Sequence, residues 1–160
     1  SQCRGKVLRM RKIYQTKTDF GSAGDLSNSV PGILDKWKIR MIKFSTKNKD
    51  RFLEIISRGS CDDLKQLRDY ILALRNITLS SGQTRVLVDE SRLEYKLQTV
   101  EIFNSGRFVS FLEPKPSKIA VLSRLDGFGD AKFWETVAVN RGVAVRVFKD
   151  KGSAKQWILN

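Results

Sequence analysis

The chain has 160 residues and a formal charge of +13, from 30 Lys plus Arg against 17 Asp plus Glu. Its length suits one domain with a real core, while 11 Gly and three Pro exclude collagen-like and low-complexity classes, and no apolar run reaches the about 18 residues of a membrane-spanning helix. Histidine is absent, which removes Ser-His-Asp and Cys-His catalysis and every His-ligated metal site.

The first residues are basic (Arg4, Lys6, Arg9, Arg11, Lys12) but no apolar stretch follows them, so a secretory signal is not expected. Residues 19–32 are rich in Gly, Ser, Asn and Asp, the composition of a linker. The expected organisation is a basic arm over 1–36, with seven basic and three acidic residues, followed by one domain over 37–160, with 23 and 14. Cys3 and Cys61 fit neither a disulfide framework nor a zinc motif, and the expected setting is a reducing cytoplasm.

Residues 37–44 alternate Trp37, Ile39, Met41 and Phe44 with Lys38, Arg40 and Lys43, which predicts a half-buried strand. A turn over 45–50 and an antiparallel partner over 51–57 complete an opening hairpin. Ser60-Cys61-Asp62-Asp63 reads as a helix start capped by Ser60. Leu64, Leu67, Tyr70, Ile71 and Leu74 form an apolar stripe on that helix, expected to end near Asn76. Residues 85–88 predict a short buried strand entering Asp89. Residues 97–112 predict a helix, weakened by Gly106. A strand over 118–123, a helix over 128–141 with Gly142 beyond its end, and a strand over 143–148 follow. Asp150 then caps a short last helix. This order predicts an α/β fold: a mixed, mostly parallel five-stranded sheet with about four helices.

The segments SCDDLKQLRDYI, RVLVDESRLEYKL, KIAVL, FWETVAVNRGVAVRVFKD and the closing QWIL, in that order, resemble the STAS-like domains of bacteria over about residues 41–160. The chain is thus similar to anti-sigma factor antagonists and to the lipid-binding CRAL-TRIO-type fold. The resemblance implies a small adaptor or sensor without enzymatic chemistry, holding a protein partner or a small ligand and needing no cofactor. It also implies a phosphoacceptor at Ser91, where the family pattern of Asp-Ser-Ser/Thr-Gly is replaced by Asp89-Glu90-Ser91-Arg92.

Ligands of open α/β sheets bind beyond the carboxyl ends of the strands. That rule collects Asp89, Glu90, Ser91 and Arg92 after one strand, Ser123, Arg124, Asp126 and Gly127 after the next, and Asp150 after the last, with Asp89, Ser91, Arg92, Arg124, Asp126 and Asp150 as the candidate ligand or partner contacts. Solvated loops with ordinary turn residues explain the same positions. Asp89 and Glu90 are adjacent on an extended chain and so point apart, a poor acid–base pair. Gly127-Phe128-Gly129 lacks the third glycine of a phosphate fingerprint. Cys61 reads as an inert small residue, since two aspartates beside it oppose a thiolate. Trp37, Trp134 and Trp157 read as core anchors. No residue is assigned a catalytic or metal-binding role. The densest positive stretch, Lys38, Arg40, Lys43, Lys47, Lys49 and Arg51, suggests as an alternative a sequence-independent nucleic-acid contact through the arm and first hairpin.

Overall fold

A computed structural model describes residues 42–160. The arm over 1–36, Trp37, Lys38 and Arg40 lie outside the described residues. Five strands and four helices follow in order: β1 (Lys43–Asn48), β2 (Leu53–Cys61), α1 (Leu64–Ser81), β3 (Arg85–Tyr95), α2 (Thr99–Ser110), β4 (Lys118–Leu122), α3 (Phe128–Val139), β5 (Val145–Phe148) and α4 (Lys151–Leu159). The strands lie side by side in sequence order, with β1 antiparallel to β2 and every later pair parallel. The fold class is therefore the α/β architecture expected, a five-stranded mixed sheet opened by a hairpin.

Crossovers of one hand between strands that advance in one direction place their helices on one side of the sheet. Leu53, Ile55, Val86 and Val88 pack against Leu74 and Ile77 of α1. Val121, Val145 and Val147 pack against Ala138 and Trp134 of α3 and Val109 of α2. The alternate residues of the same strands, Leu87 and Ala120, meet Ala154 and Ile158 of α4 on the opposite face. The central strands thus read as nearly continuous apolar sequence over 86–88 and 119–122 because both of their faces are covered there.

Several boundaries differ from the sequence expectation. The first strand begins at Lys43 and the second at Leu53, so the turn lies over 49–52, where Lys49 N–H donates to Phe52 O at 3.0 Å. All six residues of β1 are exposed, so the strand carries no burial alternation to betray its register. Ser60 and Cys61 belong to β2 rather than to a helix start. The helix cap is Asp63, whose Oδ1 accepts from Gln66 N–H at 2.8 Å, while Gln66 Oε1 accepts from Asp62 N–H at 3.2 Å. Helix α1 continues past Asn76 to Ser81, because Ile77 and Thr78 prolong its buried stripe, and it ends on Gly82 at φ 71°.

Gly106 sits inside α2, where it permits a close approach of α3: a Cβ there would lie 2.8 Å from Val137 Cγ1. On the edge strand β5, Glu135 Oε2 accepts the Val147 N–H at 2.5 Å, occupying a donor that would otherwise face outward. No helix among the described residues is long and apolar enough to cross a membrane.

Candidate functional site

Helices α1, α2 and α3 do not close completely on the sheet. They leave a cavity of about 430 Å³, within the size range of small-molecule sites and far larger than the water-sized voids of ordinary cores. Leu67 and Leu74 of α1, Val88 and Leu93 of β3, and Ile102 and Val109 of α2 contribute apolar walls.

The polar end of this space is built on β3, which runs on to Tyr95 instead of stopping at Val88. Asp89, Ser91 and Arg92 are thus strand residues, not loop residues beyond a strand end. Ile56 pairs with Asp89 but Arg58 pairs with Arg92, so two steps along β2 face three along β3. The extra residue is a bulge at Glu90 and Ser91, which re-aims the side chains around it. Asp89 turns toward α4, where Lys151 Nζ lies 3.5 Å from its Oδ2. Glu90 turns into the helical side and lines the cavity with Tyr70 and Tyr95.

A chain of hydroxyls ends at Glu90. The Tyr70 Oη donates to Glu90 Oε1 at 2.9 Å and lies 2.7 Å from the fully buried Ser57 Oγ, which donates to it in turn. Tyr95, an exposed residue of β3, brings its phenol near the same carboxyl. Burial pushes the Glu90 carboxyl up to about 7; the two tyrosines pull it back, and the charge of Asp89 adds a smaller upward push. Burial, then the Glu90 charge, holds the Tyr70 and Tyr95 phenols well above their ordinary value, so both stay protonated donors. With Glu90 protonated the chain reverses, the carboxyl donating to Tyr70 and Tyr70 to Ser57. The arrangement can therefore hold or release a proton at one end of an apolar space. Cys61 nearby is buried and its thiol is pushed up to about 11, first by that burial and then by the charges of Asp63, Asp62 and Glu90, against a lowering bond to the Asp63 carbonyl. That is an inert thiol.

The sequence-derived candidates fall into three separate places. Asp89 and Ser91 form a local pair, with Ser91 Oγ donating to Asp89 Oδ1 at 2.6 Å and Ser91 N–H at 3.2 Å; Arg92 is exposed beside them. Arg124 and Asp126 form a bidentate pair at 2.9 and 2.7 Å and line the cavity. Asp150 caps α4, accepting from Ser153 N–H at 2.8 Å. Of the basic stretch, Lys43, Lys47 and Lys49 are exposed. Arg51 instead donates to the Leu159 carbonyl at 2.7 Å, at the end of α4. Trp134 packs within the α3 cluster and Trp157 against Phe148.

Sequence reasoning passed over Ser57 and Tyr95 and treated Tyr70 as part of an apolar stripe. The available signal was a phenol on a buried helical face, since a buried tyrosine hydroxyl needs a partner. Among the described residues, no three of Cys, Asp and Glu come together as ligands for a metal ion.

No protein-family model matches the chain, and none of the curated proteins does. Among solved structures, the chain is similar to an uncharacterised protein of the DUF3478 family with a SpoIIAA-like fold from Shewanella loihica PV-4. The identity is 16% and the TM-score 0.44, over 86% of this chain and 99% of the other.

Proposed function

We propose that this domain is a non-enzymatic adaptor or sensor that holds a small, largely apolar ligand between its sheet and helices α1 to α3. The setting that goes with this reading is the bacterial cytoplasm of the family it resembles. The observation that carries it is the cavity of about 430 Å³ with polar groups gathered at Glu90, Tyr70 and Tyr95. An apolar enclosure with a few convergent polar groups is the usual form of a small-molecule site. A non-enzymatic role fits the chemistry of the lining: Glu90 is held by the Tyr70 hydroxyl, and a nucleophile with an adjacent base is missing from the described residues that line it. The test is titration with N-phenyl-1-naphthylamine, a neutral probe that fluoresces in apolar surroundings. Saturable binding is expected, and Ile102→Trp, which fills the space from α2, should abolish it. No saturable binding by the unaltered protein overturns the reading.

A second reading, sequence-independent nucleic-acid contact, is favoured by one observation on the sheet. Lys43, Arg58 and Arg92 stand in one lateral row across β1, β2 and β3, all exposed. Like charges placed directly opposite one another destabilise a sheet, and a polyanion laid over the row would relieve them. Lys47 and Lys49 extend the positive surface along the hairpin. Affinity for single- and double-stranded DNA and RNA at low salt, falling steeply with added salt, is the expected result. Absence of low-salt binding removes this reading.

A further inference from the structure

Glu90 differs from every other carboxylate that lines the cavity. Glu94 has Lys96 at 3.8 Å and Asp126 has Arg124 at 2.7 Å, while Asp130 is exposed to water. Glu90 lies inward of these, and its partners are hydroxyls alone. Among the described residues no lysine or arginine pairs with it. The groups that face it are the phenols of Tyr70 from α1 and Tyr95 from β3, the thiol of Cys61 from β2, and, on the far side of its own strand, Asp89. Helix α2 contributes Ile102, Ser105 and Val109 to the lining, none of them titratable, and the Ser105 hydroxyl is spent on the Ile102 carbonyl at 2.8 Å. The other cavity-lining cations are committed elsewhere: Arg75 Nε donates to the Glu113 carbonyl at 3.1 Å and Lys115 pairs with Glu113.

A charge removed from water without a counter-charge is costly, and an opposite charge that arrives with it offsets part of that cost. Tyr70 and Tyr95 already supply neutral donors, so a ligand hydroxyl would add a bond but leave the charge unbalanced. An ammonium brings three donors and a full positive charge to lone pairs that the tyrosines leave open. A carboxylate-headed amphiphile meets the reverse situation, with repulsion from Glu90 and from Asp89 behind it.

We infer that the cavity selects ligands with an apolar body and a cationic amine head, the ammonium pairing with Glu90 between Tyr70 and Tyr95. This rests on the cavity being a ligand site, and it names the chemical class of occupant. The carboxyl titrates near 7, so the selectivity carries a pH dependence: the amine preference is present with Glu90 ionised and fades as the pH falls below that value.

The experiment is competition of decylamine, decanol and decanoic acid against bound N-phenyl-1-naphthylamine at about pH 8 and about pH 5.5. At the higher pH decylamine should displace the probe at a concentration about tenfold below decanol, the gain of one charge-assisted contact, with decanoic acid weakest. At the lower pH the amine and the alcohol should converge, and Glu90→Gln should bring the same convergence at both pH values while still binding the probe. The comparison across head groups and pH in the unaltered protein stands even where the variant does not fold. Equal displacement by amine and alcohol at the higher pH, or a preference for the acid, overturns this inference and leaves the cavity reading intact. Failure of the probe itself to bind overturns both.

Discussion

The ammonium of Lys151, the first residue of α4, lies 2.6 Å from Glu54 Oε1, in the second residue of β2. The Glu54 side chain is 6% exposed and that of Lys151 39%, so a partly wet cation neutralises a buried anion and reaches Asp89 as well. Lys151→Met should leave two carboxylates on one sheet face without their cation. The expected loss is about 2 kcal/mol in urea denaturation, below the range for fully buried pairs because water reaches the ammonium. Restoring neutrality with Glu54→Gln in the same chain should recover part of that loss; strict additivity of the two changes would contradict the pairing.

Glu90 gives the domain a stability that depends on pH in an unusual direction. The folded protein takes up its proton near pH 7, the unfolded chain near the ordinary 4.5. Between those values the folded state holds the additional proton, so stability falls as pH rises through the window, and the loss is complete above about 7. From about pH 5 to about pH 8 the unaltered protein should lose on the order of 2 kcal/mol more than Glu90→Gln. Parallel denaturation series at four or so pH values measure this; superimposable slopes would remove Glu90 as the cause.

Gly106→Ala sets helix propensity against packing. Alanine should favour a helix interior by up to about 1 kcal/mol over glycine. The new Cβ would lie 2.8 Å from Val137 Cγ1 and 3.3 Å from the Trp134 carbonyl oxygen, and Val137 is a buried, stiff, β-branched side chain. Packing should win, with a net destabilisation of about 1–2 kcal/mol visible as a lowered Tm. In a Val137→Ala background, which removes the obstructing methyl groups, the same change should become neutral or stabilising.

Helix α4 has no basic residue in its last turn, and the positive charge its carbonyl end needs comes from β3, β4 and the hairpin turn. Arg85 Nη1 donates to the Ile158 and Leu159 carbonyls, both at 3.0 Å, Arg51 donates to Leu159 at 2.7 Å and Lys118 to Trp157 at 3.2 Å. Arg85→Met should cost about 1–2 kcal/mol. Hydrogen exchange should localise the effect, with α4 amides accelerating more than those of α3. Uniform acceleration across the domain would contradict a local clamp.

What the sequence made legible were the elements whose burial pattern is strong. Val86 to Val88, Ala120 to Leu122 and the stripe of α1 announce themselves because core contact selects apolar residues at the period of the element. The hairpin was misplaced because β1 is wet on both sides, and Lys43 to Asn48 obey no burial constraint. The start of α1 was set at Ser60 because both Ser60 and Asp63 have capping side chains; only the pairing of Arg58 to Cys61 with Arg92 to Tyr95 draws the strand four residues past Ser57. Glu90 is collected with Asp89, Ser91 and Arg92 on the rim beyond a strand end, but not as the end of a chain of buried hydroxyls. Its direction follows the alternation of Val86 and Val88; what the sequence hides is the bulge that turns Leu93 and Tyr95 onto the same face, and a bulge is decided by the pairing of two strands rather than by either alone. The clamp on α4 was hidden for a related reason, since Arg51, Arg85 and Lys118 are far apart in sequence and meet only at one end of the sheet.

The strand order has a kinetic consequence. Because each strand pairs with the one that precedes it in the chain, every pairing spans at most one helix, and no strand must wait for a more distant partner to be inserted beside it. The domain can therefore grow one strand and one helix at a time, each addition finding a finished edge. Helix α4 is the exception: its clamp needs the beginnings of β2, β3 and β4 already aligned, so its docking reports that the sheet is complete.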